Sequence, residues 1–163
     1  MRTHTVIDSP VGPLTLVANG DGALTGLYME DQRHRPPQET FGVPDPDGFA
    51  AAARQLGEYF AAEREEFDLP LALEGTEFQR AVWRELRRIP YGATVSYGEL
   101  AARLGNPAAS RAVGLANGRN PVGIVVPCHR VLGASGSLTG YGGGLARKRY
   151  LLDFEQSAAR LPV

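Results

Sequence analysis

The spacing of apolar residues changes part-way along the chain, from alternation to a helical repeat, and no other feature constrains the fold as much. Apolar residues alternate from Leu14 to Ala18, the turn residues "NGDG" follow, and "ALTGLYM" resumes the apolar pattern. This predicts a β-hairpin, preceded by a short strand in "THTVIDS". From Thr76 onwards apolar residues recur every three or four positions. We therefore predict an α+β unit in residues 1–75 and a mostly helical unit in residues 76–163.

The first unit contains no recognisable catalytic pattern. Residues 32–48 are rich in proline and polar residues and predict a loop. Asp47 is placed to cap a helix through "FAAAARQLGEYFAAE". The apolar face of that helix is predicted to hold Phe49, Ala53, Leu56 and Phe60. The following "FDLPLALEG" fits either a further strand or an extended linker.

Two capping boxes organise the second unit, pairing Thr76 with Gln79 and Ser96 with Glu99. The first opens a helix whose apolar face is predicted to hold Phe78, Val82, Leu86 and Ile89. The second opens a helix that runs through Leu104 and stops at "GNP".

The next helix, "PAASRAVGLANG", completes a helix-turn-helix pattern. Asn106 is expected to cap it, Pro107 fits its first turn and Gly118 ends it. It consists of small residues and carries one long side chain, Arg111. Such a helix could approach a DNA minor groove closely, with the arginine entering where a base has left the stack. A helix of small residues that only packs against its neighbours is the alternative.

The two units carry opposite charge. Residues 1–75 hold 5 Arg and 13 Asp and Glu, for a net charge of −8, whereas residues 76–163 hold 12 Arg and Lys and 5 Asp and Glu, for +7. A basic half is typical of proteins with a polyanionic partner, although a surface asymmetry without function is the alternative.

Composition excludes several classes of protein. No apolar run is long enough to span a bilayer, and the N-terminus lacks a signal-peptide core, so we expect a cytoplasmic protein. A single cysteine forms no internal disulfide and no cysteine-based zinc site, and we expect no metal. The stretch "GASGSLTGYGGG" lacks the phosphate-loop and dinucleotide-binding patterns, so we predict no nucleotide cofactor.

The only cysteine, Cys128, lies in "IVVPCHRVLG" with a histidine directly after it. An imidazole can accept the thiol proton, but adjacent side chains of an extended segment point to opposite faces. A water molecule bridging Cys128 and His129 is therefore easier than a direct hydrogen bond. A carboxylate would fix the tautomer of His129, and Glu155 is the first choice. A buried, inert cysteine at the end of a strand is the alternative.

Taken together, residues 76–155, and above all "PCHRV", closely resemble the methylated-DNA–protein-cysteine methyltransferases, the O6-alkylguanine-DNA alkyltransferase family. The segment "IDSPVGPLTLVANGDGALTGL" resembles the smaller domain of that family. The resemblance implies a bacterial member with a ribonuclease H-like α+β support domain in residues 1–75 and a winged helix-turn-helix-like domain in residues 76–163 that binds DNA and holds the active site.

The resemblance also implies a function, namely extrusion of O6-alkylguanine from duplex DNA and irreversible alkyl transfer to Cys128, once per molecule and without a cofactor. His129 would act as a water-mediated base oriented by Glu155, and Tyr97 would hydrogen-bond or protonate the leaving guanine. Arg111 would fill the gap in the stack. The implied DNA contacts also include Ala109 and Ser110. Asn120 would brace the active-site turn. The guanine pocket would be formed by Val131, Tyr141 and Gly142. Arg130 is expected to be structural.

Gly142 departs from the family pattern, which often has serine after the tyrosine, and this removes a hydroxyl contact to guanine. Two other functions are compatible with parts of the sequence, namely a lesion-binding sensor that performs no repair and a thiol hydrolase using Cys128, His129 and Glu155. The presence of the cysteine argues against the sensor, and the helix-turn-helix argues against the hydrolase. We expect a monomer in solution, and cooperative binding to DNA is left open.

Overall fold

The computed structural model describes residues 1–159 and is α+β, as predicted. In the N-terminal half, four strands form one sheet in the order β3-β2-β1-β4. The strands are β1 Thr3–Ile7, β2 Leu14–Ala18, β3 Leu24–Met29 and β4 Val43–Pro44. The first three pair antiparallel, whereas β4 pairs parallel with β1. The short β4 and a 3₁₀ turn at Gln38–Phe41 lie within the segment predicted to be a loop.

The single helix of this half, α1, spans Ala50–Phe60 and packs into the main core. The predicted cap at Asp47 is wrong, because the helix begins after Phe49 and no side chain caps it. The predicted face is also partly wrong, since the buried positions include Ala52 and Tyr59 in place of Ala53.

The C-terminal half is mostly helical. Its elements are α2 Glu77–Leu86, β5 Val95–Ser96, α3 Tyr97–Arg103, α4 Ser110–Gly118, β6 Val131–Leu132 and α5 Leu145–Ala159. Both capping boxes are present, and in each the hydroxyl accepts from the backbone N–H three residues on, at 3.1 Å in the first box and 3.0 Å in the second. Strands β5 and β6 form a short parallel pair between the helices.

The packing of α2 against α4 depends on Trp83, which is buried and donates from Nε1 to the Ala116 carbonyl at 2.9 Å. Phe78, predicted to face the core, is 39% exposed because it lies on the first turn, where the helix projects from the bundle. The predicted cap at Asn106 is also wrong: its side chain makes no capping bond, and a 3₁₀ turn, Pro107–Ala109, precedes α4.

The two halves share one core and are joined by backbone hydrogen bonds. The Leu27 N–H of β3 donates to the Pro121 carbonyl at 2.8 Å, and Leu27 forms a parallel bridge with Val122. The segment just before Cys128 therefore continues the edge of the N-terminal sheet. Within residues 1–159, none of the helices has both the length and the apolar character that crossing a bilayer requires.

Candidate active site

The cysteine is presented by two consecutive tight turns rather than by a strand. The Val125 N–H donates to the Gly123 carbonyl at 2.8 Å around Ile124, whose φ is 70°. The Cys128 N–H donates to the Val126 carbonyl at 2.8 Å around Pro127, with φ −81° and ψ 65°. Both are γ-turns, and the one with positive φ is the strained form. The predicted strand before Cys128 is therefore wrong, because these β-branched residues reflect burial in a turn rather than a strand.

Asn120 forms hydrogen bonds to both ends of this turn. Its Nδ2 donates to the Val126 carbonyl at 2.8 Å, and its Oδ1 accepts from the Val122 N–H at 3.0 Å. Because Asn120 is buried, both bonds are shielded from water and hold the two ends of the turn together. A 3₁₀ turn over Cys128–Arg130 then redirects the chain.

His129 is fully buried and is held by Glu155. Its Nε2 lies 2.8 Å from Glu155 Oε2. Its Nδ1 is buried and has no hydrogen-bond partner among residues 1–159. Because the carboxylate fixes the proton on Nε2, the free Nδ1 is the atom that can accept one. Within residues 1–159 no hydrogen bond joins Cys128 and His129, although the two residues lie in a 3₁₀ turn and not in the extended segment that the sequence argument assumed.

The electrostatics favour a protonated thiol next to a neutral base. Burial raises the pKa of the Cys128 thiol, opposed by a hydrogen bond with Asn120 and by the charge of Lys148. Burial lowers the pKa of His129, and Glu155 opposes this shift. Burial would raise the pKa of Glu155, but hydrogen bonds from His129 and Arg130 and the positive charge of Arg130 hold it well below its ordinary value.

Three further side chains of this site were not singled out by sequence reasoning, namely Tyr59, Asn117 and Lys148. Tyr59 donates to Glu155 Oε2 at 2.6 Å. Asn117 donates to the Cys128 carbonyl at 3.3 Å, and its buried Oδ1 has no partner within residues 1–159.

Lys148 is buried and donates to the carbonyls of Val131 and Thr139. Burial lowers the pKa of Lys148 to about 8, and a negative charge on Cys128 would oppose this shift. The helical pattern of α5 could have flagged a lysine on its buried side.

Arg130 makes a two-pronged contact with Glu155, through Nε at 2.8 Å and Nη2 at 2.9 Å. Its Nη1 donates to the Ile89 carbonyl at 2.7 Å. Such a pair fixes the plane of the carboxylate, which agrees with the structural role expected for Arg130.

A small cavity opens onto the thiol. It is lined by Gln32, Asn117, Gly118, Asn120, Gly123, Cys128, Tyr141, Gly142 and Gly143. Its volume is about 10 Å³, enough for one water molecule and too small for a purine ring. The loop after β3 closes it, because the Arg33 N–H donates to the Gly142 carbonyl at 2.8 Å. Val131 does not line this cavity, and its carbonyl accepts the Lys148 ammonium.

A larger groove of about 580 Å³ runs between α3 and α4 and is called the α3–α4 groove below. Its wall includes Tyr97, Ser110 and Arg111, but not Ala109, which lies half-buried at the end of the preceding 3₁₀ turn. The Tyr97 hydroxyl donates to the Thr139 carbonyl at 3.2 Å. Burial raises the pKa of Tyr97, so its hydroxyl remains protonated. Leu115, also in the wall, is 70% exposed.

Two family models cover nearly the whole chain. The model described as "6-O-methylguanine DNA methyltransferase, DNA binding domain" matches residues 77–157, and "6-O-methylguanine DNA methyltransferase, ribonuclease-like domain" matches residues 3–73. The chain belongs to the 6-O-methylguanine DNA methyltransferase family. This confirms the family and the fold class implied by the resemblance.

Named members of the family are similar over almost their full length. The methylated-DNA–protein-cysteine methyltransferase of Mycobacterium tuberculosis is 57% identical over 159 residues, which are 98% of this chain and 95% of that protein. The protein of the same name from Methanosarcina acetivorans is 49% identical over 154 residues, or 94% of this chain and 98% of that protein.

A solved structure of the M. tuberculosis O6-methylguanine methyltransferase superposes with a TM-score of 0.91 at 56% identity, covering 100% of this chain and 96% of that one. A structure of the same mycobacterial protein, there called OGT, in complex with DNA superposes with a TM-score of 0.89 at 56% identity, covering 96% of this chain and 94% of that one.

Proposed function

We propose that Cys128 is the alkyl acceptor of a DNA repair methyltransferase that acts on O6-alkylguanine in double-stranded DNA. As a member of this family, the protein transfers a methyl group from methylated DNA to a cysteine of its own. The observation that supports Cys128 most directly is that the chain's only thiol lines a cavity and is followed by a histidine fixed by a buried carboxylate.

The proposed reaction is a displacement at the alkyl carbon. The thiol proton passes through a water molecule to His129 Nδ1, and the sulfur then forms a bond to the carbon as the bond from that carbon to guanine O6 breaks. The electron pair of the broken bond leaves with guanine, which is stabilised by a hydrogen bond or a proton from Tyr97. The product is a thioether with no group positioned to reverse it, so each molecule reacts once.

The alkylated base must leave the duplex before it can reach this thiol. We propose that α4 approaches the minor groove through its small residues and that Arg111 fills the gap in the stack. Exposure of Arg111 and its place in the wall of the α3–α4 groove support this role. Ala109 and Ser110 would contact the backbone at the start of α4. In this arrangement residues 76–163 bind DNA and react, and residues 1–75 support the active-site turn.

Entry of the base requires the cavity to widen. We propose that Tyr141 and Gly142 form the wall of the guanine pocket. The hydrogen bond from the Arg33 N–H to the Gly142 carbonyl would break when the base enters. The unpartnered Oδ1 of Asn117 is available to the substrate. The backbone of Val131 is a weaker candidate for base contact, because its carbonyl already accepts from Lys148.

The test is intact mass spectrometry after mixing the protein with a duplex bearing one O6-methylguanine. We expect a single methyl adduct, no adduct with an unmodified duplex, and no adduct in Cys128→Ser, which removes the only thiol. Binding without a mass change would support the lesion sensor instead, and an adduct that persists in Cys128→Ser would contradict the assignment of the acceptor.

A further inference from the structure

The N-terminal half contributes one side chain directly to the buried carboxylate of the site. Tyr59, on α1, donates from its hydroxyl to Glu155 Oε2 at 2.6 Å. Both residues are buried, with relative exposures of 0% and 1%. The bond therefore lies where water does not compete with it.

Both carboxylate oxygens of Glu155 accept hydrogen bonds, and the donors are unevenly divided between them. Oε1 accepts only from Arg130 Nε, at 2.8 Å. Oε2 accepts from Arg130 Nη2, from His129 and from Tyr59. The tyrosine hydroxyl and the imidazole thus share one oxygen atom, so a change at one alters the charge available to the other.

The ring of Tyr59 is fixed by aromatic neighbours from several elements. Its centroid lies 5.0 Å from that of Phe60, 5.4 Å from Phe67, 6.2 Å from Tyr91 and 5.6 Å from Phe154. These contacts aim the hydroxyl at Glu155 and would persist in a phenylalanine variant.

We propose that Tyr59 is a positioning residue for alkyl transfer, holding Glu155 Oε2 in place and drawing charge from it so that His129 stays neutral with its Nδ1 free. The proposal rests on the function proposed above. Tyr59 acts only as a donor, because burial, followed by the charge of Glu155, raises its pKa well above the ordinary tyrosine value. Within residues 1–159, the other charged or titratable groups that face Glu155 and His129 are Arg130, Lys148, Tyr91 and Tyr141.

Removing the hydroxyl has a predictable direction. With two donors instead of three, Oε2 carries more negative charge and stabilises the imidazolium form of His129. The pKa of His129 then rises, and less of the neutral base is present at mildly acidic pH. The acid limb of the pH–rate profile of alkyl transfer should therefore move to higher pH.

The experiment compares Tyr59→Phe with Tyr91→Phe and the wild-type protein. Tyr91 lies in the same aromatic cluster, and within residues 1–159 no hydrogen bond of its hydroxyl is found. Methyl transfer from the lesion duplex is timed between about pH 5 and pH 9, and the ¹⁵N signal of the His129 ring is titrated over the same range. Thermal unfolding midpoints of all three proteins are recorded.

We expect Tyr59→Phe to react about threefold to tenfold more slowly on the acid limb and nearly as fast as wild type on the alkaline plateau, with the His129 titration moved upward. Tyr91→Phe should follow the wild type. An unchanged profile in Tyr59→Phe, or a rate lowered by one factor at every pH with an unchanged His129 titration, would overturn the proposal. A wild-type protein that forms no adduct would instead refute the proposed function, and the proposal with it.

Discussion

Cys128 owes its orientation to the residues immediately before it. Pro127 has a fixed φ that suits the second γ-turn, whereas Ile124 adopts a φ of 70°, which a β-branched residue rarely does. Such a conformation costs about 1–3 kcal/mol and persists only where surrounding contacts impose it. Here those contacts are the two hydrogen bonds of Asn120 and the pairing of Val122 with β3. The thiol is therefore held by a strained turn whose conformation is imposed by several surrounding contacts.

The protonation states of Cys128 and His129 predict the pH dependence of alkyl transfer. Because burial raises the pKa of the thiol and lowers that of the imidazole, the pair is a neutral thiol and a neutral base near pH 7. The wild-type rate should persist below pH ~6.5, the ordinary pKa of histidine, and fall only once His129 gains a proton. In His129→Gln the rate should be about 10²-fold lower at pH 7 and rise about tenfold per pH unit, following the thiolate.

Rates of methyl transfer to the protein across pH test this, with His4→Gln as the matched control because His4 lies on β1 and does not line the cavity at the thiol. Glutamine can still donate to Glu155, so an altered profile would report loss of the base rather than loss of the contact. A His129→Gln profile parallel to that of the wild type would show that His129 does not accept the proton.

At the scale of single elements, α4 is unusual for a helix that we propose to face DNA. Its exposed side carries Arg111 and Leu115, and the rest is alanine, glycine and serine. Apart from Ser110 and Arg111, the exposed side of α4 has no polar side chain that could read base edges, so it suits close approach to the backbone and entry into the base stack rather than sequence readout.

Arg111→Ala should therefore change the reaction rates with two substrates to different extents. Reaction with a duplex should slow by about tenfold to a hundredfold, because the gap left by the extruded base is no longer filled, whereas reaction with free O6-benzylguanine should be unaffected. Arg84→Ala is the control, since Arg84 is exposed on α2 and does not line the α3–α4 groove. An equal loss on both substrates would assign Arg111 to the pocket or to folding instead.

The elements that could be predicted from sequence are those whose signals are local. The two capping boxes define the starts of α2 and α3 through contacts within three residues. The predictions failed where tertiary contacts decide the structure. "IVVP" has the composition of a strand, but Asn120 and the edge of β3 bend it into turns.

The same distinction applies to the site. The pairing of His129 with Glu155 was predicted from the chemistry that a base requires. Tyr59 could not be predicted, because one tyrosine on an amphipathic helix resembles any other core residue. Its significance depends on a contact between the two halves of the chain.

At the scale of the whole molecule, charge is separated between the two halves. The whole chain has a net charge of −1, whereas residues 76–163 have a net charge of +7. This basic half contains the α3–α4 groove. Affinity for DNA should therefore depend on release of counterions from phosphates and fall as salt is raised.

For about three phosphate contacts, affinity for a duplex should drop by about tenfold to a hundredfold between roughly 50 and 200 mM salt. Fluorescence anisotropy of a labelled duplex measures this, and the rate with free O6-benzylguanine over the same salt range serves as the control. An affinity independent of salt would place the DNA away from the basic half.

The bond between Tyr59 and Glu155 joins residues 96 positions apart, and α5, which carries Glu155, is the last element of the described chain. Contacts of such long range form late, since the chain entropy of closing the intervening loop must first be overcome. On the ribosome the N-terminal half emerges first, and Cys128 follows well before Glu155. A nascent chain therefore carries Cys128 and His129 without the carboxylate that orients the imidazole until α5 has also been synthesised.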